Sequence, residues 1–151
     1  MPTAYDVPAG KLIPRIAEEL KKIETIKPPE WAAFVKTGRH REKSPIEEDW
    51  WFVRSAAVLR RIYVDGPIGT TRIAASFGGK ADKGSKPSKA VRGSRSIARI
   101  TAQQLEKSQL VRKEKDGGRT VTGKGRKLID NLSNQILKEL AAENPELTKY
   151  L

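Results

Sequence analysis

The most extended hydrophobic pattern of the chain lies in residues 49–64, where apolar side chains occupy nearly every face of a helix. They are Trp50, Trp51, Phe52, Val53, Ala56, Ala57, Val58, Leu59, Ile62, Tyr63 and Val64. A helix without a broad polar face is typical of the buried centre of a domain. Just upstream, Ser44-Pro45-Ile46-Glu47 combines a cap, a proline and an acid, which favours a helix start. The pattern therefore predicts a central, buried helix.

Shorter amphipathic patterns predict further helices on both sides of this segment. Leu12, Ile16 and Leu20 have helical spacing. Because Pro14 disfavours a helix interior, the regular part of this helix is expected over residues 14–23. Other helices are predicted at 30–35, 68–77, 95–108 and 123–142. Residues 110–114 and 119–122 flank a Gly117-Gly118 turn, which is the pattern of a β-hairpin.

The order of these elements over residues 44–142 is helix, helix, helix, hairpin and helix, which is the order of a winged helix. We therefore predict a mainly α fold, a winged-helix-like helical bundle around a central apolar helix, with one short β-hairpin wing and an N-terminal helical extension. Residues 1–151 are expected to form a single domain. Its parts are N-terminal helices and a basic loop (1–43), the core (44–142) and a C-terminal tail (143–151). Because winged helices bind DNA, RNA or protein, the fold alone leaves the ligand open.

The strongest concentration of charge lies in residues 79–99, where cations recur every three or four positions around one acid, Asp82. The first part, residues 79–93, is rich in Gly, Lys and Ser and is predicted to be a basic loop that stays mobile until it is bound. The helices of a helix-turn-helix are joined by only about 3–4 residues. The much longer connection here disfavours docking into a B-DNA groove and favours folded RNA, which is recognised through shape and phosphates.

The net charge of the chain is +12, which indicates a polyanionic partner. The chain has no cysteine, so disulfides and thiolate metal sites are excluded. No apolar run approaches the ~20 residues of a membrane span, and the N-terminus lacks a secretory pattern, so we expect a cytoplasmic protein. The only histidine, His40, has no carboxylate pair nearby, and the Gly123-Lys124-Gly125 segment is not a P-loop. We expect no enzyme activity, cofactor, metal, membrane or small-molecule substrate.

Several short motifs occur in an order that is specific to one family. They are Pro28-Pro29-Glu30-Trp31, Trp50 with Arg54 and Arg60, Tyr63, Phe77-Gly78-Gly79, Pro87-Ser88, Arg92-Gly93-Ser94, Ser96, Ala98-Arg99, Leu105-Glu106 and Asp116-Gly117-Gly118-Arg119. On these motifs, which span nearly the whole chain, the sequence closely resembles the small-subunit ribosomal protein nineteen family of eukaryotes and archaea. The resemblance implies a structural protein in the head of the small ribosomal subunit. Such a protein binds the 3′ domain of small-subunit rRNA, is needed for assembly and maturation of the subunit, and has other small-subunit proteins as partners.

The residues expected to bind RNA are cations of the basic segments and helices, together with one tryptophan and one turn glycine. They are Arg39, Arg41, Trp50, Arg54, Arg60, Lys80, Lys83, Lys86, Lys89, Arg92, Arg95, Arg99, Lys115, Gly118 and Arg119. Trp50 is either a core residue or a stacking platform. Arg54 lies on an apolar helix and needs a partner, which is either an internal carboxylate such as Glu47 or Asp49, or an RNA phosphate. Gly118 is expected to supply the positive φ of a tight turn.

Two other functions fit part of the sequence. A winged-helix DNA-binding transcription regulator would be a dimer on a palindromic site, whereas an rRNA-binding protein of this kind is expected to be a monomer when isolated. A pure protein–protein adaptor would lack the steep salt dependence that characterises phosphate binding. Oligomeric state and the salt dependence of RNA affinity therefore separate the three.

Overall fold

A computed structural model of the protein describes residues 1–151. Its α-helices are α1 (Ala9–Lys21), α2 (Trp50–Asp65), α3 (Thr70–Ser76), α4 (Arg95–Lys107) and α5 (Gly123–Glu143). One antiparallel hairpin, β1 (Gly79–Lys83) and β2 (Lys86–Val91), lies between α3 and α4. A second, β3 (Val111–Lys113) and β4 (Arg119–Val121), lies between α4 and α5. Short 3₁₀ helices occupy Glu30–Ala33 and Pro145–Tyr150. None of the helices combines the length and apolar character needed to cross a membrane.

Helix α2 lies at the centre of the fold, as its apolar pattern predicts. Trp51, Leu59 and Ile62 are fully buried, and α2 packs against both α1 and α4. The main core joins apolar residues of α1, α2, α4 and α5, among them Leu12, Ile16, Leu20, Ala56, Val58, Ala102, Leu105, Ile129 and Ile136. Burying one such large side chain contributes about 1.5–3 kcal/mol, so these helices form a rigid support for the surface they carry.

The arrangement of α3, α4 and the hairpin β3–β4 confirms the predicted winged-helix-like fold class. The wing is widened by Ile68, whose N–H donates to the Arg119 carbonyl at 3.2 Å and whose carbonyl accepts from the Arg119 N–H at 3.0 Å. Gly118 has a φ of 82°, so the predicted positive φ of this turn is confirmed. Helix α5 follows directly, where the Thr122 hydroxyl accepts from the Gly125 N–H at 3.2 Å.

The prediction of a basic loop at 79–93 is wrong, because residues 79–91 form the hairpin β1–β2 and the fold has two hairpins instead of one. Gly84, at the first position of the two-residue turn, has a φ of 74°, as that type of hairpin turn requires. Its N–H donates to the Asp82 carboxylate at 2.9 Å. Eight of the eleven residues of the two strands are exposed, and only Ala81 is buried. The hairpin therefore lacks the alternation of buried and exposed side chains by which strands are recognised in a sequence.

The predicted start of α1 at residue 14 is also wrong, since this helix begins at Ala9 and contains Pro14. A proline inside a helix leaves the carbonyl four residues earlier without its N–H partner. That carbonyl belongs to Gly10, which is exposed, so water can satisfy it. One face of α1 buries Leu12, Ile16 and Leu20, and this burial offsets the cost of the proline.

Helix α2 does not begin at the Ser44–Glu47 start signal but three residues later, at Trp50. Asp49 occupies the position before the helix and makes no capping hydrogen bond. Its carboxylate instead accepts from the Lys21 ammonium at 3.0 Å, and this interaction holds the pKa of Asp49 below its usual value. The acid thus ties the end of α1 to the start of α2.

Four glycines, which we call the glycine junction, attach the hairpin β1–β2 to the body of the protein: Gly38, Gly78, Gly79 and Gly93. Gly38 and Gly93 form an isolated antiparallel bridge. A Cβ atom on Gly78 would overlap the Val91 carbonyl oxygen, and one on Gly93 would lie 2.9 Å from the Phe77 carbonyl oxygen. Because backbone packs directly on backbone here, the direction in which the hairpin projects is fixed.

Candidate nucleic-acid interface

A cleft of about 510 Å³, which we call the arginine cleft, lies beside the start of α4. It is lined by Gly38, Arg39, Arg92, Gly93, Ser94 and Arg95. All three charged residues in this lining are arginines and all three are exposed. Arginine guanidinium groups bind phosphate oxygens with paired donors, so this cleft has the chemistry of a phosphate-binding surface.

The backbone beside the arginine cleft is held by local hydrogen bonds. Ser94 caps α4, since its hydroxyl accepts from the Ile97 N–H at 3.3 Å. The Ser94 N–H donates to the Thr37 carbonyl at 3.0 Å, and the Gly93 N–H donates to the Ala74 carbonyl at 2.9 Å. The N-terminus of a 13-residue helix also carries a partial positive charge. The three arginines are therefore attached to a fixed backbone, and the partial positive charge of the α4 N-terminus adds to their own positive charge.

A second, larger cleft of about 1080 Å³, which we call the aromatic cleft, lies between residues 37–47, α2 and the end of α3. Its lining includes the rings of Trp50 and Phe77, the imidazole of His40 and the guanidinium groups of Arg41 and Arg54. Trp50 is half-buried, and its ring packs edge-on against Trp51 with the centroids 5.5 Å apart. Trp50 is thus neither a fully buried core residue nor a free platform, but part of a cleft wall.

Arg54 is a cation in the aromatic cleft with no carboxylate partner in the protein. Its guanidinium carbon lies 4.4 Å from the centre of the Phe77 ring, a cation–π distance. Burial, and then the neighbouring Arg41, lower the pKa of Arg54. No carboxylate lies within ion-pair distance of Arg54, and Asp49 is paired with Lys21. The interpretation that Glu47 or Asp49 neutralises Arg54 is therefore wrong, and its charge remains available to an external anion.

His40, which sequence reasoning used only to exclude catalysis, lies between the two basic surfaces. Carbon atoms of its ring approach to 2.8 Å of the positions that Cβ atoms would occupy on Gly38 and Gly79. Its Nδ1 atom is buried without a hydrogen-bond partner. Burial lowers the pKa of His40, and the charges of Arg41 and Arg54 lower it further. Because its ring packs on Gly79, which is far away in the chain, as well as on the neighbouring Gly38, no local motif could have identified this position.

Helix α4 presents the predicted arginines to solvent. Arg95 and Arg99 are both exposed, and because they are four residues apart they lie on the same face, one turn from each other. The opposite face of α4 buries Ile97, Ala102 and Leu105 in the core. The helix is thus amphipathic, as predicted. Its exposed cationic face, which we call the α4 stripe, comprises Arg95 and Arg99 and begins at the arginine cleft, which Arg95 also lines.

The ion pairs of the protein lie elsewhere. The seven pairs are Lys11–Glu143, Arg15–Glu139, Lys21–Asp49, Lys22–Glu19, Arg61–Asp65, Arg112–Glu114 and Arg119–Glu106. Of the cations predicted to bind RNA, only Arg119 belongs to one of these pairs. The others carry charge that no acidic side chain of the protein neutralises at close range, whereas three cations of α1 are paired, two of them with acids of α5.

Arg119 differs from the other predicted cations because its guanidinium faces the interior. Only 12% of its side chain is exposed, and its Nε donates to the Glu106 carboxylate at 3.2 Å. Its Nη1 also donates to the Thr70 hydroxyl at 3.5 Å. The side chain thus ties the wing to α3 and α4, and it is not presented to a ligand.

Arg60, Lys115 and Gly118 lie outside the two clefts. Arg60 is six residues after Arg54 on α2, which at 3.6 residues per turn places it on another face, and its Nε is buried without a partner. Lys115 is exposed at the turn of the wing. A Cβ on Gly118 would lie 3.0 Å from the Ile68 nitrogen, so Gly118 shapes the wing instead of offering a contact surface.

The assembled surface has binding chemistry and no arrangement suited to a metal. No group of three or more His, Asp or Glu side chains is placed to hold a metal ion. The two clefts, the exposed face of α4 and the hairpin β1–β2 carry ammonium and guanidinium groups, and the rings of Trp50 and Phe77 line the aromatic cleft. Cations of this kind suit phosphate oxygens, and aromatic rings of this kind suit the unstacked bases of RNA.

Comparison with known proteins gives consistent matches along the chain. The sequence model of the Ribosomal protein S19e family matches residues 3–139. The chain is similar to the small ribosomal subunit protein eS19 of Thermoplasma acidophilum, with 43% identity over 96% of both chains. It is also similar to the protein of that name from Aeropyrum pernix, with 42% identity over the full length of both. The similarity extends to the eS19 of Myxine glutinosa, with 35% identity over 89% of this chain and 93% of the relative.

Proposed function

Because the chain belongs to the ribosomal protein S19e family, we propose that it is a structural constituent of the small ribosomal subunit that binds small-subunit rRNA. The RNA-binding surface comprises the arginine cleft, the aromatic cleft, the α4 stripe and the hairpin β1–β2. The proposed target is the 3′ domain of the rRNA in the head of the subunit, and binding there supports assembly and maturation. The protein acts in the cytoplasmic ribosome without catalysing a reaction, has other small-subunit proteins as neighbours and is a monomer when isolated.

The observation that supports RNA binding is that none of the cations in the two clefts, on the exposed face of α4 or on the hairpin β1–β2 forms an ion pair. Here Arg54 is unpaired although it is half-buried, and leaving a desolvated charge without a partner costs free energy. Binding of a phosphate at this position recovers that cost, and release of counterions from RNA adds to the affinity.

The geometry favours folded RNA over duplex DNA. The hairpin β1–β2 stands between α3 and α4, where a helix-turn-helix protein has only a short turn. α4 thus approaches a ligand together with the hairpin and the segment 38–43. A surface of this irregular shape suits the loops and groove edges of a structured RNA.

The proposal is tested by the charge-reversal variants Arg54→Glu and Arg99→Glu. Both should fold, since neither arginine pairs with an acid of the protein, and both should fail to enter small subunits when expressed as tagged copies in an archaeal host. Lys138→Glu, a change of the same charge at an exposed position of α5, is the control and should incorporate normally. Normal incorporation of the two arginine variants, with folding verified by circular dichroism, would overturn the proposed surface.

A further inference from the structure

The two strands of the hairpin β1–β2 do not pair in a uniform register. Gly79, Lys80 and Ala81 face Val91, Ala90 and Lys89, but the last pair before the turn is Lys83 with Lys86. Between the last two pairs, β1 has one residue, Asp82, whereas β2 has two, Pro87 and Ser88. This is a β-bulge on β2. Proline is well suited to such a position, because it has no N–H to donate to the ladder.

The bulge decides which lysines share a face of the hairpin. Residues two apart on a regular strand lie on the same face, so Ala81 and Lys83 do, and directly paired residues also share a face. Lys89, paired with Ala81, and Lys86, paired with Lys83, are therefore on that face as well. In a regular strand, residues 86 and 89 would be on opposite faces. The bulge thus collects Lys83, Lys86 and Lys89 on one side, which we call the lysine face.

The other face of the hairpin carries the acid. Lys80 and Asp82 alternate with Ala81 and Lys83 along β1, and Ser88 precedes Lys89 on β2, so all three belong to this other face. The Asp82 carboxylate is held at the turn by the Gly84 N–H at 2.9 Å. The only acidic residue of the hairpin is thus kept off the lysine face. All three lysines of that face are exposed and none forms an ion pair.

The lysine face is turned toward the clefts. At its base lies Gly79, where a Cβ atom would point at the His40 ring at 2.8 Å. His40 in turn lines the aromatic cleft together with Arg41. The three lysines therefore extend the cationic surface of the clefts outward along the hairpin, and Lys80 on the opposite face does not.

We propose that the lysine face binds neighbouring phosphates of one RNA strand and that the bulge serves to place the three lysines on one face of the hairpin. Lys83 and Lys86 face each other across the two strands. Lys89 lies two residue positions further from the turn, which corresponds to about 7 Å at the usual rise of a strand. Contacts of this kind fix position without reading sequence. The inference rests on the proposed function, which supplies the RNA. The competing explanation is that the lysines only prevent the exposed strands from pairing with other chains.

Two variants test the inference, with a transcript of the 3′ domain of Thermoplasma acidophilum small-subunit rRNA as the probe. Affinity is measured at several salt concentrations. K83Q/K86Q/K89Q should reduce the slope of log affinity against log salt by about 2–3, since each phosphate contact contributes roughly 0.7–0.9. K127Q/K138Q/K149Q removes the same charge from exposed positions of α5 and the C-terminus and should reduce the slope by less than ~1.

The second variant changes the face and keeps the composition. S88K/K89S moves one lysine to the opposite face and should reduce the slope by roughly one, whereas a contribution from net charge alone predicts no change. Equal slopes for wild type, K83Q/K86Q/K89Q and S88K/K89S would overturn the lysine face and leave RNA binding intact. If the wild type itself bound this RNA without salt dependence, the proposed function would fail instead. Aggregation of K83Q/K86Q/K89Q with an unchanged slope would support edge protection.

Discussion

Arg119→Ala removes a guanidinium that is nearly enclosed by the wing, α3 and α4, and its effect can be calculated from those contacts. A hydrogen bond to a charged group contributes about 1.5–3 kcal/mol. Glu106, the partner, has 37% of its side chain exposed, so water partly replaces the lost donor and the effect lies near the lower end, at about 2 kcal/mol. For a chain of this size, about 2 kcal/mol corresponds to a decrease in melting temperature of roughly 4–8 °C.

The assay combines thermal unfolding with RNA binding measured well below the melting temperature. We expect Arg119→Ala to melt earlier and to bind rRNA as wild type does, because the side chain is not presented to a ligand. Arg112→Ala is the matched control on the same wing, since the Arg112–Glu114 pair is exposed and should contribute less than about 1 kcal/mol. Arg99→Ala should give the opposite result, with an unchanged melt and weaker binding.

Either of two results would refute this reasoning about Arg119. A melting temperature equal to that of wild type would show that the Glu106 and Thr70 contacts do not stabilise the fold. A loss of RNA affinity in the folded variant, at a temperature where circular dichroism is native, would show that Arg119 contacts the ligand after all.

Two further predictions concern the glycine junction and the histidine beside it. Gly78→Ala should destabilise the protein by about 1–3 kcal/mol, because the new Cβ would overlap the Val91 carbonyl. Gly10→Ala, whose Cβ would have no atom within 4 Å, should instead stabilise α1 by about 0.5–1 kcal/mol. Urea unfolding measures both free energies, and equal effects of the two variants would contradict the packing argument. Burial lowers the pKa of His40 in the folded state, so the unfolded chain binds the proton more readily. The contribution of neutral His40 to stability is therefore complete above about pH 6.5 and decreases as the pH falls below that value. Unfolding free energies at pH 5 and 7.5 should differ more for wild type than for His40→Gln, and identical differences would contradict the burial of the ring.

The helices that bury an apolar face could be predicted from the sequence. α2, α4 and α5 lie within a few residues of the predicted ranges, because the spacing of Leu59, Leu105 or Ile136 directly reflects burial in the core. The wing was recognisable for a related reason. Its strands carry Val111 and Val121 toward the core on either side of a Gly-Gly turn.

The hairpin β1–β2 could not be predicted in this way, because most of its side chains on both faces are in solvent. Hydrophobic patterning records contact with a core, and Ala81 is the only buried residue of the two strands. What holds the hairpin is backbone packing at the glycine junction, between positions as far apart as Gly38 and Gly93. A single sequence contains the glycines but does not indicate which of them meet.

The candidate site was predictable as a set of cations but not as an arrangement. Charge density identified the arginines at 92, 95 and 99 and the lysines of the hairpin. It could not distinguish Arg119, which pairs with Glu106, from Arg54, which lies over Phe77. Such distinctions depend on which side chains meet across elements, and these contacts are set by the packing of the whole fold.

The glycine junction has a consequence for protein engineering. Because the hairpin is anchored at its base, through the close packing of Gly78, Gly79 and Gly93 and the buried Ala81, its outer residues 82–89 can be exchanged for those of another relative without disturbing the anchor. Chimaeras made in this way would vary the chemistry of the tip while the orientation of the graft stays constant. The tip of the hairpin is thus a segment that can be exchanged while its attachment to the protein stays the same.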